Sequence, residues 1–211
     1  MRSHGELGDP QIPPPCTNEG SLASMDGTRL DPLTGLPNSE VLASAVAAKS
    51  AVAVFVDIDG LLWLNDSNGM VDADQAVRAV ATCIVEQTRA FSGVVARIGG
   101  DDFVIALSAG TREDAARLGI AIMSAVEQLD LRFNRYEGTR CPFYTVGVST
   151  LVFDLELAML DDRRSLIENL SYALWEAKVA CGRSGQAAGI LDHPLRQRPP
   201  HPAFIRTGPV E

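Results

Sequence analysis

Residues 51–56 read Ala-Val-Ala-Val-Phe-Val, an unbroken apolar run with a β-branched side chain at every second place. A short run that is apolar on both faces fits a strand buried from both sides, in the middle of a sheet. It ends on Asp57-Ile58-Asp59, so a rigidly held strand delivers carboxylates at its exit. A fold for this chain has to cover that strand on both faces and leave its acidic end open.

The remaining pattern supplies the cover. Residues 38–49 are a helix candidate with Asn38 as N-cap. A polar segment follows the strand. Within residues 73–89, Ala76, Val77, Val80, Ala81 and Ile84 share one helical face, and Asp72 and Gln75 have capping-box spacing. Residues 94–98 and 103–107 are short apolar runs around Gly99-Gly100-Asp101-Asp102, the pattern of a β-hairpin with a Gly/Asp-rich turn. Residues 111–129 predict a helix with Thr111 at its start and Glu113 and Asp114 in its first turn. Residues 131–150 read as two strands broken near Glu137 and Gly138, the later one over residues 143–148. Residues 163–181 predict a last helix, stopped by Gly182. This order gives one α/β sandwich-like domain. Residues 1–29, rich in Pro, Gly, Ser and Asn, are expected to be a disordered leader. The domain is expected over residues 30–191, and residues 192–211, with several prolines, as a disordered tail.

Charge and cysteine usage exclude some functions. A net charge of -9 disfavours wrapping a nucleic-acid backbone. A single nucleotide is still bindable, because one local cation or metal ion overcomes the global field. The four cysteines lie far apart with no CxxC spacing, which fits reduced thiols in the cytoplasm. No apolar run reaches the ~18 residues of a membrane span. The N-terminus lacks the apolar core of a signal peptide. The expectation is a cytoplasmic protein that binds neither nucleic acid nor membrane.

The candidate chemistry lies in the carboxylates. If the hairpin pairs beside the central strand, Asp57 and Asp101 converge. Converging carboxylates repel unless a cation joins them, and hard oxygen ligands favour Mg²⁺, which takes its remaining ligands from phosphates and water. Taken alone, Gly-Gly-Asp-Asp reads first as an ordinary turn, and only its combination with the strand-end carboxylates points further.

Five segments add a resemblance. Arg97-Ile98-Gly99-Gly100-Asp101-Asp102-Phe103 resembles the RxGGDEF signature of the GGDEF domain family, the diguanylate cyclases. Asp31-Pro32-Leu33-Thr34-Gly35-Leu36-Pro37-Asn38 is similar to the family's DxLTGLPN opening. Asp57-Ile58-Asp59 with Leu64-Asn65-Asp66 and Gly69 resembles its DIDxFKxINDxxGH segment, and Asp74 falls at its GD aspartate. Thr145-Val146-Gly147-Val148 resembles its (S/T)xGV strand. Tyr172-Ala173-Leu174 with Ala177-Lys178 and Gly182-Arg183 resembles its ALYxAKxxGRN ending.

The resemblance implies an α+β fold similar to the palm of polymerases and nucleotide cyclases. A central, mainly antiparallel sheet of about five strands is flanked by helices. It implies condensation of two GTP into cyclic di-GMP, with Asp57, Asp101 and Asp102 catalytic. Asp57, Asp101 and the Ile58 carbonyl would hold Mg²⁺ (or Mn²⁺). Asn65 and Asp74 would recognise guanine, Gly99 and Gly100 would leave room for the nucleotide, and Lys178 and Arg183 would meet the triphosphate. Two domains, each holding one GTP, would have to face each other in a transient homodimer.

Several positions depart from the family pattern. Leu62 stands where the family has a phosphate-contacting Lys, and Leu61 replaces its Phe. Asp102 replaces Glu, and Met70 and Ala73 replace His and Gly. Arg183 follows Lys178 by five residues instead of four. The RxxD product-inhibition motif is absent: its positions hold Ala90 and Gly93, with Arg89 one residue out of register and Ser92 not a carboxylate. No feedback inhibition through that site is expected. No folded sensor domain is expected before residue 30, so control is expected from dimerisation, expression level or a regulatory protein partner. Two readings stand. One is a diguanylate cyclase of weakened activity, favoured by Asp57, Asp101, Asn65 and Asp74. The other is a catalytically degenerate domain acting as a GTP-binding or protein-interaction module.

Overall fold

The computed structural model describes residues 29–40, 52–134, 143–154, 163–180 and 188–190. In chain order the elements are β1 (Val52–Asp59), α1 (Leu61–Asn68), α2 (Met70–Thr88), β2 (Gly93–Arg97), β3 (Asp102–Leu107), α3 (Arg112–Gln128), β4 (Arg132–Asn134), β5 (Phe143–Thr145), β6 (Gly147–Asp154), α4 (Arg163–Ala180) and β7 (Ala188–Ile190). Five strands form one sheet in the order β2-β3-β1-β6-β7, and β4 and β5 form a separate two-stranded ribbon. Every pairing in the main sheet is antiparallel except that of β6 with β7. The mainly antiparallel sheet flanked by helices follows the sequence expectation.

β1 is the central strand because both of its faces are apolar. Val54, Val56 and Ile58 pack into one core with Val77, Val80 and Ile84 of α2 and Leu118 and Ile122 of α3. Ala53 and Phe55 point the other way, into a second core closed by Leu170 and Leu174 of α4. Phe55 has no exposed surface, and truncation of so buried an aromatic typically costs about 3–5 kcal/mol. Asp57 and Asp59 continue the Ala53–Phe55 face by the two-residue period of a strand. They therefore emerge on the α4 side of the sheet.

Local sequence signals explain two of the helix starts. Thr111 caps α3 in a full capping box: its Oγ1 accepts from the Asp114 N–H, and Asp114 in turn accepts from the Thr111 N–H at 2.9 Å. Asn38 accepts from the Glu40 N–H at 2.9 Å, as an N-cap does; of that expected helix only its start lies among the described residues. Four expectations need correction. The polar segment after β1 is helical, because Leu64 of α1 is fully buried and anchors it. α2 begins at Met70 behind Gly69, with no side-chain cap, so the Asp72–Gln75 box is not used; Asp72 instead accepts from the Asn68 side chain at 3.2 Å. The expected strand over residues 143–148 divides at Val146, whose N–H is taken by the Leu131 carbonyl at 3.1 Å, so that β5 pairs with β4 and β6 joins the main sheet. The parallel strand β7 was not anticipated; three residues are too few for a periodic signal. Gly182 lies outside the described residues. Among the described residues, no helix is long and apolar enough to cross a membrane.

The Asp31–Asn38 segment is a brace for the hairpin. Asp31 Oδ1 accepts from the Thr34 N–H at 2.8 Å and the Thr34 hydroxyl at 2.7 Å. Gly35 turns the chain at φ 69°, a conformation that favours glycine, and its N–H returns to the Asp31 carbonyl at 2.8 Å. Arg97, the last residue of β2, donates to both Asp31 oxygens at 2.9 and 3.1 Å and to the Gly100 carbonyl at 2.6 Å. Burial pushes the Asp31 carboxyl up, but hydrogen bonds from Thr34 and Arg97 outweigh it and hold the group below its ordinary value. A depressed carboxylate stabilises the fold above its unfolded pKa and loses that contribution as pH falls through the folded value. We predict that Asp31→Asn destabilises the protein at pH 7 and that the gap to wild type closes below about pH 4, measured by urea unfolding across pH. Arg97→Ala should cost about 3 kcal/mol in the same assay.

Candidate active site

The β1–β3 pairing brings the acidic residues together. Asp57 lies opposite Asp102 in register, and the Ile58 N–H donates to the Asp101 carbonyl at 3.0 Å. The hairpin closes on itself, with the Ile98 N–H donating to the Asp102 carbonyl at 2.9 Å. One carboxylate oxygen from each of Asp57, Asp101 and Asp102 lies within 4.8 Å of the other two. Asp102 is buried, and Asp57 and Asp101 are half-buried.

Such a cluster resists ionisation. Burial, with Asp101 and Asp59 adding to it against Lys178, raises Asp57 to about 6. Burial and then the charges of Asp101 and Asp57 raise Asp102 to about 8. Asp101 is raised by burial as well. Oxygen donors at this spacing, short of counter-charge, fit a hard divalent cation. The Ile58 side chain is buried in the core, so this residue offers the cluster only its backbone.

Lys178 reaches this cluster from α4. Its Nζ donates to Asp57 Oδ1 at 2.9 Å and to Asp59 Oδ1 at 2.5 Å. Ser149 of β6 donates its hydroxyl to both Asp59 oxygens, at 2.9 and 3.0 Å. Burial opposes the charge on Lys178, but Asp57 and Asp59 outweigh it and raise the ammonium above its ordinary pKa. Asp59 and Ser149 were not among the candidate site residues. The signal for Asp59 was available, since it lies two residues after Asp57 and therefore on the same strand face. Ser149 needed the β1–β6 register, which puts it opposite Asp57.

A cleft of about 260 Å³ opens beside the cluster. Asn65 of α1, Asp74 of α2, and Gly100 and Asp101 of the hairpin all line it, so the structure gathers these four candidates around one space. Its other walls include Leu61, Leu62, Met70, Ala73 and Val77. Leu62 and Met70 are 66% and 72% exposed. The two glycines differ in what they leave room for. A side chain at Gly100 would meet nothing, whereas a Cβ at Gly99 would overlap the Asp102 carboxylate folded beneath it. The space that a side chain at Gly99 would need is therefore taken by Asp102, whereas that at Gly100 is open. Arg183 lies outside the described residues.

The sequence matches the family described as "Diguanylate cyclase, GGDEF domain" over residues 28–180. Diguanylate cyclase DgcZ of Escherichia coli (strain K12) is 32% identical over 107 residues, covering 47% of this chain and 36% of that protein. Diguanylate cyclase A of Treponema denticola is 30% identical over 126 residues, covering 59% and 32% respectively. The chain thus spans about a third of the length of these relatives. Among solved structures, the GGDEF domain of PA1120 from Pseudomonas aeruginosa superposes with a TM-score of 0.53 at 22% identity, over 75% of this chain and 93% of that one. Diguanylate cyclase SiaD of Pseudomonas aeruginosa, solved with its activator SiaC, gives 0.56 at 22% identity, over 77% and 62%. These structures share the fold described above. The family match takes in more than half of the sequence, and the chain belongs to the GGDEF domain family.

Proposed function

We propose that this chain is a diguanylate cyclase-like domain that condenses two GTP molecules into cyclic di-GMP, releasing pyrophosphate. The observation that carries this reading is the meeting of Asp57 and Asp101 at the edge of a cleft that Asn65 and Asp74 also line. Asp57, Asp101 and the Ile58 carbonyl would hold Mg²⁺ (or Mn²⁺). When bound, the ion supplies phosphate charge neutralisation and lowers the pKa of the attacking 3′-hydroxyl.

The other roles follow from donor and acceptor chemistry. The Asp74 carboxylate accepts from the N1–H and exocyclic amine of guanine, and the Asn65 amide pairs with another edge of the base. Gly100 lets the nucleotide approach the hairpin backbone. Asp102, buried beside Asp57 and Asp101 and raised to about 8, is proposed as the third carboxyl group of the cluster, ionising only as a cation enters. Lys178 and Arg183 are proposed to meet the triphosphate. Each domain holds one GTP, so catalysis requires a transient homodimer with the two clefts facing. SiaD was solved with a protein activator, and a regulatory protein partner is proposed for this chain too. The cytoplasm is the proposed location.

Leu62 shapes the expected rate. It sits exposed at the cleft where the family pattern has a lysine, and an alkyl chain donates nothing to phosphate. One missing charge-assisted hydrogen bond weakens GTP by about 1.5–3 kcal/mol. The cyclase reading therefore predicts a slow enzyme with a high KM.

Incubation of the purified protein with GTP and Mg²⁺, with nucleotides resolved by chromatography, should yield cyclic di-GMP. Asp101→Ala should cut that turnover by about a hundredfold or more. Unchanged GTP at high protein concentration would instead favour the degenerate, partner-binding reading. Leu62→Lys should lower the KM for GTP by about ten- to a hundredfold, the size of one regained charge-assisted bond.

A further inference from the structure

The whole chain contains two lysines, Lys49 and Lys178, against sixteen arginines. One of the two ends in the acidic cluster. The Lys178 side chain is only 24% exposed, and its ammonium bridges Asp57 and Asp59. Asp57 also belongs to the carboxylate trio with Asp101 and Asp102. The same carboxylate is thus shared between an internal ammonium and the site proposed for a divalent ion. Asp59 stands outside that trio and is held from behind by Ser149, so it acts as a fixed mooring for the ammonium. The residue type matters. An arginine fork would lock both carboxylates in a planar array, whereas an ammonium is a compact point charge on a flexible stem that releases readily.

We infer that Lys178 is the resident counter-cation of the metal site in the nucleotide-free protein, and that a divalent ion and the Lys178 ammonium compete for Asp57. Metal binding moves the ammonium off Asp57, and the freed charge becomes available to a phosphate. The inference rests on the cyclase-like reading above for which residues take the metal. It adds that metal loading and phosphate binding are coupled through one side chain. The physical basis is repulsion: a positive charge in contact with a ligating carboxylate disfavours the arrival of a second cation there.

The test uses the full chain and Mn²⁺ alone, with free Mn²⁺ followed by electron paramagnetic resonance. Lys178→Met should bind Mn²⁺ about tenfold or more tightly than wild type, the effect of removing one contacting charge. The same variant should bind an unreactive α,β-methylene analogue of GTP with Mn²⁺ more weakly than wild type. Effects of opposite sign are the signature, since a merely structural lysine would weaken both. Equal or weaker Mn²⁺ binding by Lys178→Met, with Asp101→Ala still losing the ion, overturns the inference and leaves the metal site standing. Absence of Mn²⁺ binding in both wild type and Lys178→Met overturns both. A measurement on the unsubstituted site guards against misfolding of the variant. With ¹³C-labelled lysine, Lys49→Arg leaves a single ε-carbon signal, from Lys178. That signal should shift saturably on Mg²⁺ titration without nucleotide. An unmoved signal at Mg²⁺ saturation overturns the inference.

Discussion

The antiparallel register of β1 against β3 is the constraint on which the rest depends. It sets Asp57 opposite Asp102 and ties the Ile58 N–H to the Asp101 carbonyl, so that a strand end and a hairpin tip share one corner. A slip of one residue would turn Asp57 and Asp59 to the other side of the sheet, away from α4 and Lys178. That slip is opposed by both cores at once, because β1 buries Val54, Val56 and Ile58 on one face and Ala53 and Phe55 on the other. The apolar strand thus fixes the position of charges it does not touch.

Gathering carboxylates at a half-buried corner works against folding, and the structure offsets this in two places. Arg97 joins the hairpin to Asp31, holding the tip that carries Asp101. Lys178 brings a positive charge onto Asp57 and Asp59. The first contact is a fixed brace within a network of backbone and Thr34 hydrogen bonds. The second is a single ammonium, one of whose partners, Asp57, also belongs to the carboxylate trio. On the proposed exchange of Lys178 for a divalent ion, the acidic site would persist without metal and still accept one.

The cleft beside this corner combines polar side chains with an apolar mouth. Asn65, Asp74 and Gly100 face the same space as Asp101, while Leu62 and Met70 are largely exposed at its walls. Four departures from the family pattern, Leu61, Leu62, Met70 and Ala73, line this cleft, and a fifth, Asp102, lies in the carboxylate cluster. Under the proposed function, Leu62 would cost one phosphate contact and lower affinity without removing Asp57, Asp101, Asn65 or Asp74.

The order of strands and helices, the central strand, the hairpin and the Thr111 cap were all written in local periodicity and capping chemistry. Asp57, Asp101, Asn65 and Asp74 were legible as candidates because their spacing around those elements resembles one family. Other features belonged to the tertiary structure alone. The split at Val146 arises because a backbone N–H takes a partner 15 residues away, which no local pattern encodes. A Cβ at Gly99 would meet the Asp102 side chain, because the turn brings that carboxylate against it. Lys178 meets Asp57 and Asp59 across more than a hundred residues of sequence. Sequence determined which groups this protein carries and which faces they share. Only packing decided which charges neutralise one another, because electrostatic partners are chosen by distance in space after the apolar core has set the register.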